Sequence, residues 1–370
     1  MTLEPILSRA AASGRASAGA PRPGPDKASD HDRAPDLGVP ALLWAYDVFP
    51  DGRAEAVTPR DAHQPLAEGA AWRWTHVDGL APGAEEWLAG GGCGPLSDIV
   101  AEALTETDTR PRAQSGHGGA LIFLRGVNLN QGADPEDMIS IRLWIEETRV
   151  ISVVLRRLLT VAELRERMET GEAPARPGLF LTELAEGLAA RMGPVLDALE
   201  DRADDMEDKA AEAALGMIDP LDPRETRRAL AELRRVVIAL RRYLAPQREA
   251  LAELRRMGAA PLDDVDRAEL AETGDRMTRY VEDLDAVRER ALVLAEEAQA
   301  RAAERSNRAM YVLSIVTAVF LPLGFLTGLL GVNLGGLPGA AAPWGFAAFV
   351  VMLALVAGLE LWLIRRLRLL

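Results

Sequence analysis

Stepping at alternating intervals of three and four residues, one helical face of this 370-residue chain reads Asn307, Met310, Ser314, Thr317, Leu321, Gly324, Gly328 and Gly331. Polar and small residues dominate that face inside an otherwise apolar segment, which suits either a pore lining or a close helix contact. The pair Gly324 and Gly328 would also fit simple helix dimerisation. Counting the same heptad backwards gives Ala303, Ala300, Glu296, Val293, Glu289, Ala286 and Glu282, so three carboxylates share the register of the membrane face. Repeated in several copies around an axis, Glu282, Glu289 and Glu296 would form rings that draw cations into a vestibule. A solvated face accounts for any one of them equally well. A separate apolar set, Met277, Tyr280, Leu284, Val287, Ala291, Leu294 and Ala298, is offset by two residues, about 200° around the helix. The helix is therefore expected to pack on one side and present its acids on the other.

Other chemistries find less support. The histidines are His31, His63, His76 and His117, all in the N-terminal third and none able to line the segment just described. Zinc held directly prefers Cys and His, whereas Asn amides, hydroxyls and carbonyls are hard oxygen groups that suit an ion keeping its waters. His76 and His117 read as ordinary domain residues. Cys93 is the single cysteine, so no intramolecular disulfide forms, consistent with a reducing compartment. No nucleotide-binding glycine loop, metal-ligand cluster or nucleophile motif appears, so neither an enzyme nor a cofactor is expected. With 42 Lys and Arg against 56 Asp and Glu, the net charge of -14 excludes nucleic acid as a natural partner and favours cations.

These residues must be positioned by a membrane. No Asp, Glu, Lys, Arg or His occurs from Ala309 through Leu359, and a run of about 50 such residues suffices for two spanning helices with a tight connection. Arg301, Arg305 and Arg308 precede the hairpin and Arg365, Arg366 and Arg368 follow it, so by the positive-inside rule both termini are cytoplasmic. Trp344 and Trp362 fall near opposite interfaces. Glu360 lies within reach of Arg365, Arg366 or the lipid headgroups and is expected to be structural. Two helices cannot enclose a hydrophilic path, so transport would require a ring of identical copies. A membrane anchor for a coiled-coil scaffold is the alternative.

Five segments follow. Residues 1–38, rich in Ala, Pro, Gly, Arg and Ser, read as a disordered tail. Residues 39–177 read as a mixed α/β domain with strands at Leu42–Val48, Trp72–Val77, Leu121–Val127, Met138–Ile145 and Arg149–Leu155, and short helices at Gly83–Leu88 and Leu96–Thr105. Residues 178–308 are helical: an acidic helix near Leu179–Leu215, a basic one near Pro223–Met257, expected to face each other with opposite charges, and a third from Leu262. That third helix continues into the membrane hairpin of residues 309–364, and a basic C-terminus occupies 365–370.

The segment Tyr311–Gly339, with Gly331-Val332-Asn333 after the first span, resembles the CorA superfamily of divalent-cation transporters, whose signature there is Gly-Met-Asn. Valine in the middle and the following Leu334-Gly335-Gly336-Leu337-Pro338-Gly339 are similar to the zinc-transporter branch, ZntB. Leu124–Asn130 (LRGVNLN) and Arg241–Arg248 (RRYLAPQR) extend the likeness into the soluble part. The resemblance implies a funnel-shaped homopentamer in the cell (inner) membrane, an α/β/α cytoplasmic domain on a helical stalk, and the first span around the pore. It further implies that Gly331, Val332 and Asn333 form the outer mouth, with Asn333 holding a hydrated divalent cation. The branch implies Zn2+ uptake, with proton coupling open. The outer loop carries no acidic residue, unlike the magnesium and cobalt branch, yet a magnesium, cobalt or nickel channel of the same architecture remains the rival.

Overall fold

The computed structural model describes residues 41–116, 118–215, 217, 222–258, 260–330 and 343–366. The expected tail, His31, His117, Gly331, Val332, Asn333 and residues 367–370 lie outside the described residues.

Runs rich in Val, Ile, Leu and Trp form most of a sheet of β1 (Leu42–Val48), β2 (Ala54–Ala56), β3 (Trp72–Asp78), β4 (Arg112–Gly116), β5 (Gly119–Gly126), β6 (Ile139–Ile145) and β7 (Arg149–Val154), in the order β2-β1-β3-β7-β6-β5-β4. Neighbours are antiparallel except β3 and β7, which run parallel. After β3 the chain crosses one face through α1 (Ala84–Ala89) and α2 (Asp98–Thr105), reaches the far edge at β4 and meanders back to β7. Leu88, Val100, Ala101 and Leu104 of those helices bury Val77, Leu121, Phe123, Trp144, Ile151 and Val153. The opposite face carries Trp72 and Trp74, whose rings lie 5.6 and 5.0 Å from Phe180 of α4 (Pro177–Ala190). Central strands covered on both faces read as nearly continuous apolar runs, which is why they stand out.

The less apolar elements did not stand out. Edge strand β4 (Arg-Ala-Gln-Ser-Gly) and the short β2 lack apolar alternation, and α3 (Leu159–Thr170) follows β7 with five charged residues among its twelve. The helix expected over Leu179–Leu215 is two helices, α4 and α5 (Gly193–Ala214). Pro194 explains the break, because it has no N–H to donate and its ring clashes with the carbonyl four residues earlier. Helices α6 (Pro223–Arg256), α7 (Asp264–Leu330) and α8 (Gly345–Arg366) complete the described chain.

The acidic and basic helices both send ion pairs to the third helix. Asp204 and Glu207 of α5 bind Arg290 of α7, and Arg241 of α6 binds Asp285 of α7. These ion pairs thus converge on the third helix. Cα packing divides the chain into two units, Met1–Leu221 with Arg228–Leu294, and Asp222–Arg227 with Ala295–Leu370.

Candidate functional site

Helix α7 is a single element of 67 residues. Met277, Leu284, Val287, Ala291 and Leu294 are buried, with Tyr280 and Ala298 half-buried, as the apolar set requires. Glu282, Glu289 and Glu296 are exposed, and so are Ala286, Val293, Ala300 and Ala303 between and beyond them. Some other charges on the helix are engaged: Asp285 takes both arms of Arg241 at 2.7 and 3.0 Å, Arg290 holds Glu207 at 2.8 Å, and Glu297 pairs with Arg301 at 3.1 Å. Among the described residues, Glu282, Glu289 and Glu296 form no ion pair. Their charge stays available to the solvent on that side.

Further along, α7 is long and apolar enough to cross a membrane, and none of its apolar window is buried. Asn307, Met310, Ser314, Thr317, Leu321, Gly324 and Gly328 are all exposed. The Ser314 hydroxyl donates to the Met310 carbonyl at 2.9 Å and the Thr317 hydroxyl to the Leu313 carbonyl at 2.8 Å. With their protons spent on the helix, these oxygens present only lone pairs outward. That is what the water hydrogens around a cation need. Nothing lies within 4 Å of where a Cβ on Gly324 or Gly328 would stand, so two steps of this face have room for a hydrated ion or a neighbouring helix. Thr327, whose hydroxyl bonds the Gly324 carbonyl at 3.0 Å, adds a hydroxyl beside the stripe that strict heptad counting passes over.

In α8, Gly345–Glu360 forms a shorter apolar stretch. Trp344 and Trp362 are exposed, and the Arg366 guanidinium lies 5.0 Å over the Trp362 ring. Among the described residues Glu360 forms no ion pair, and its Oε2 is buried without a hydrogen-bond partner.

Two further candidate ligands, His76 and Cys93, are buried in the soluble domain. Ser152 Oγ receives the Trp74 indole N–H at 2.7 Å and forms a second hydrogen bond with Nδ1 of His76, 2.6 Å away. The ring stacks on Trp44 at 4.3 Å and is neutral, its pKa driven by burial and then by Arg165 from 6.5 to about 3. Below pH about 6.5 only the unfolded chain takes up that proton, so stability is complete above that value and falls as pH drops toward 3. We expect the His76 contribution to shrink by about 2 kcal/mol between pH 7 and pH 5. Denaturant midpoints of the detergent-solubilised protein and of His76→Gln should converge across that interval. A constant gap would refute the assignment. Cys93 is buried, with its thiol pKa raised by burial to about 11, so it is neither nucleophile nor ready metal ligand.

A family model described as CorA-like Mg2+ transporter protein matches residues 69–366. The chain is 40% identical over 296 residues to the divalent cation transporter CmaX of Pseudomonas aeruginosa, covering 80% of this chain and 86% of that one. It is 36% identical over 293 residues to the zinc transport protein ZntB of Pectobacterium carotovorum, covering 79% and 86%. The solved structure of full-length CmaX matches with a TM-score of 0.74 at 38% identity, over 89% of this chain and 98% of that one. The CorA magnesium transporter from Methanocaldococcus jannaschii shares the fold, with a TM-score of 0.70 at 17% identity over 89% and 98%. These relatives are named as transporters, not as enzymes.

Proposed function

Since the chain belongs to the CorA-like transporter family, we propose that it carries divalent cations, zinc foremost, into the cell through a central pore enclosed by five copies. The observation that carries this reading is the continuity of one face of α7: exposed, unpaired Glu282, Glu289 and Glu296 lead in register to the acceptor oxygens of Ser314 and Thr317 and to Gly324 and Gly328. In this arrangement the first span lines the pore, α8 is the second span on its outside, and both termini are cytoplasmic. The Gly331-Val332-Asn333 triplet forms the outer mouth, and the ion keeps its water shell past oxygen groups. Zinc rests on the valine of that triplet, on the acid-free outer loop, and on the likeness to a relative named as a zinc transport protein.

Zinc and magnesium flux in proteoliposomes, with and without an imposed pH gradient, tests the proposal. Zinc uptake is expected, and the gradient arm shows whether protons drive it. Magnesium carried to the exclusion of zinc would reassign the cargo, and no flux of any divalent cation would leave a membrane-anchored scaffold.

Neutralising Glu282, Glu289 and Glu296 together to Gln tests the vestibule. Fifteen charges would vanish from a pentamer, and the field of such rings reaches about 30 Å at 0.01 M salt but only about 3 Å at 1 M. Flux should fall on the order of tenfold at low salt and hardly at all at high salt. An effect indifferent to salt would mean that these glutamates are merely solvated.

A further inference from the structure

The stretches Leu124–Asn130 and Arg241–Arg248 are distant in sequence, yet they meet at one point. Arg125 lies two residues beyond Phe123, whose partner Arg112 is the first residue of edge strand β4. The Arg125 N–H is therefore left without a strand partner at the sheet edge. Gln247 of α6, only 2% exposed, supplies the acceptor: the Arg125 N–H donates to its Oε1 at 2.6 Å across 122 residues of chain. The same arginine lays its guanidinium 4.1 Å over the ring of Tyr243, one turn earlier on α6, and donates to the carbonyls of Met138 at 2.9 Å and Thr109 at 2.6 Å. Between Tyr243 and Gln247 stands Pro246, which has no N–H for the carbonyl four residues back. Helix α6 thus lacks a rung where it is held from the side. Two residues before Tyr243, Arg241 grips Asp285 of α7 with two bonds of 2.7 and 3.0 Å.

Resting on the transport reading, we infer that this junction is a latch. It fixes α6 at its proline to the end of the sheet and, through the Arg241–Asp285 pair, sets the position of α7, whose continuation bears the cation face. Arg125, Tyr243 and Gln247 are positioning residues for transport. Packing alone calls for an apolar residue at a site as buried as 247. A buried amide aimed at a single strand N–H instead specifies one register, because any displacement strands a polar group out of water. A helix missing a rung bends easily, so its side-on partners decide its course.

The test pairs two substitutions at one site. Gln247→Leu keeps the bulk and removes the acceptor, whereas Gln247→Glu keeps an acceptor oxygen at the same reach. At matched assembly and Tm, Gln247→Leu should lower cation flux in proteoliposomes by about threefold to tenfold and speed amide hydrogen exchange around Asp285. Gln247→Glu should restore both. Arg241→Asp, at a partly exposed position, should produce the same two changes, reversed by adding Asp285→Arg, and it decides the matter if Gln247→Leu fails to fold. Unchanged exchange or unchanged flux in both series overturns the latch, as does failure of Gln247→Glu and of the charge swap to rescue. Should the wild-type protein carry no ion, the transport reading falls by itself, and the exchange measurement still decides whether the junction holds α7.

Discussion

Replacing Asn333 with alanine is expected to abolish cation uptake while leaving the assembled protein intact. Asn333 comes three residues after Leu330 in the sequence, and the run from Ala309 through Leu359 holds no acidic residue that could take over. At the proposed outer mouth its amide would offer both donor and acceptor to an ion that arrives hydrated. Five such amides at one level would each contribute about 0.5–1.5 kcal/mol to holding the hydrated ion, so losing all five weakens the outer site by about 100-fold or more. Uptake by purified Asn333→Ala in proteoliposomes, with the oligomer verified by size, provides the measurement. Flux near the wild-type level would remove Asn333 from the pathway.

The second large effect concerns the fold that carries the pathway. Asp47 on β1 is 3% exposed and holds Arg73 of β3 with both oxygens, at 2.6 and 2.8 Å. It also accepts the Ala67 N–H at 2.9 Å. The other side of Arg73 donates to the carbonyls of Ala62 at 3.0 Å and Gln64 at 2.7 Å, pinning the loop before β3. Asp47→Ala strands this guanidinium in a dry site, which costs about 3–5 kcal/mol, a large part of the roughly 5–15 kcal/mol available to a domain. The unfolding midpoint should drop sharply. The double replacement Asp47→Leu with Arg73→Met should recover much of the loss, because both charges leave together. A double variant no more stable than Asp47→Ala would show that the pair specifies the loop rather than merely neutralising a buried charge.

Much of this protein was legible before any fold was known. The charge-free run from Ala309 to Leu359 announces a membrane segment through composition alone, since a bilayer accepts nothing else over that length. The two faces of α7 follow from helix periodicity. Leu284, Val287 and Ala291 are buried and Glu282 and Glu289 exposed, as a repeat near 3.6 residues dictates. The strands of the sheet interior show as apolar runs for the same local reason, whereas polar edge strand β4 depends on its pairing with β5 to exist.

Tertiary structure decided the partnerships. Charge is non-directional, so sequence could set an acidic helix beside a basic one but could not foresee that Arg290 and Asp285 of α7 would take the partners on each. His76 and Ser152 become one hydrogen-bonded unit only because β3 and β7 lie side by side in parallel. Arg125 and Gln247 acquire a shared role only because β4 starts too late to cover β5 and α6 passes at that spot. Periodicity is written along the chain, where each residue's neighbours are fixed by the geometry of one helix or strand. A contact across 122 residues depends on the path of everything between, and that path is settled by packing of the whole.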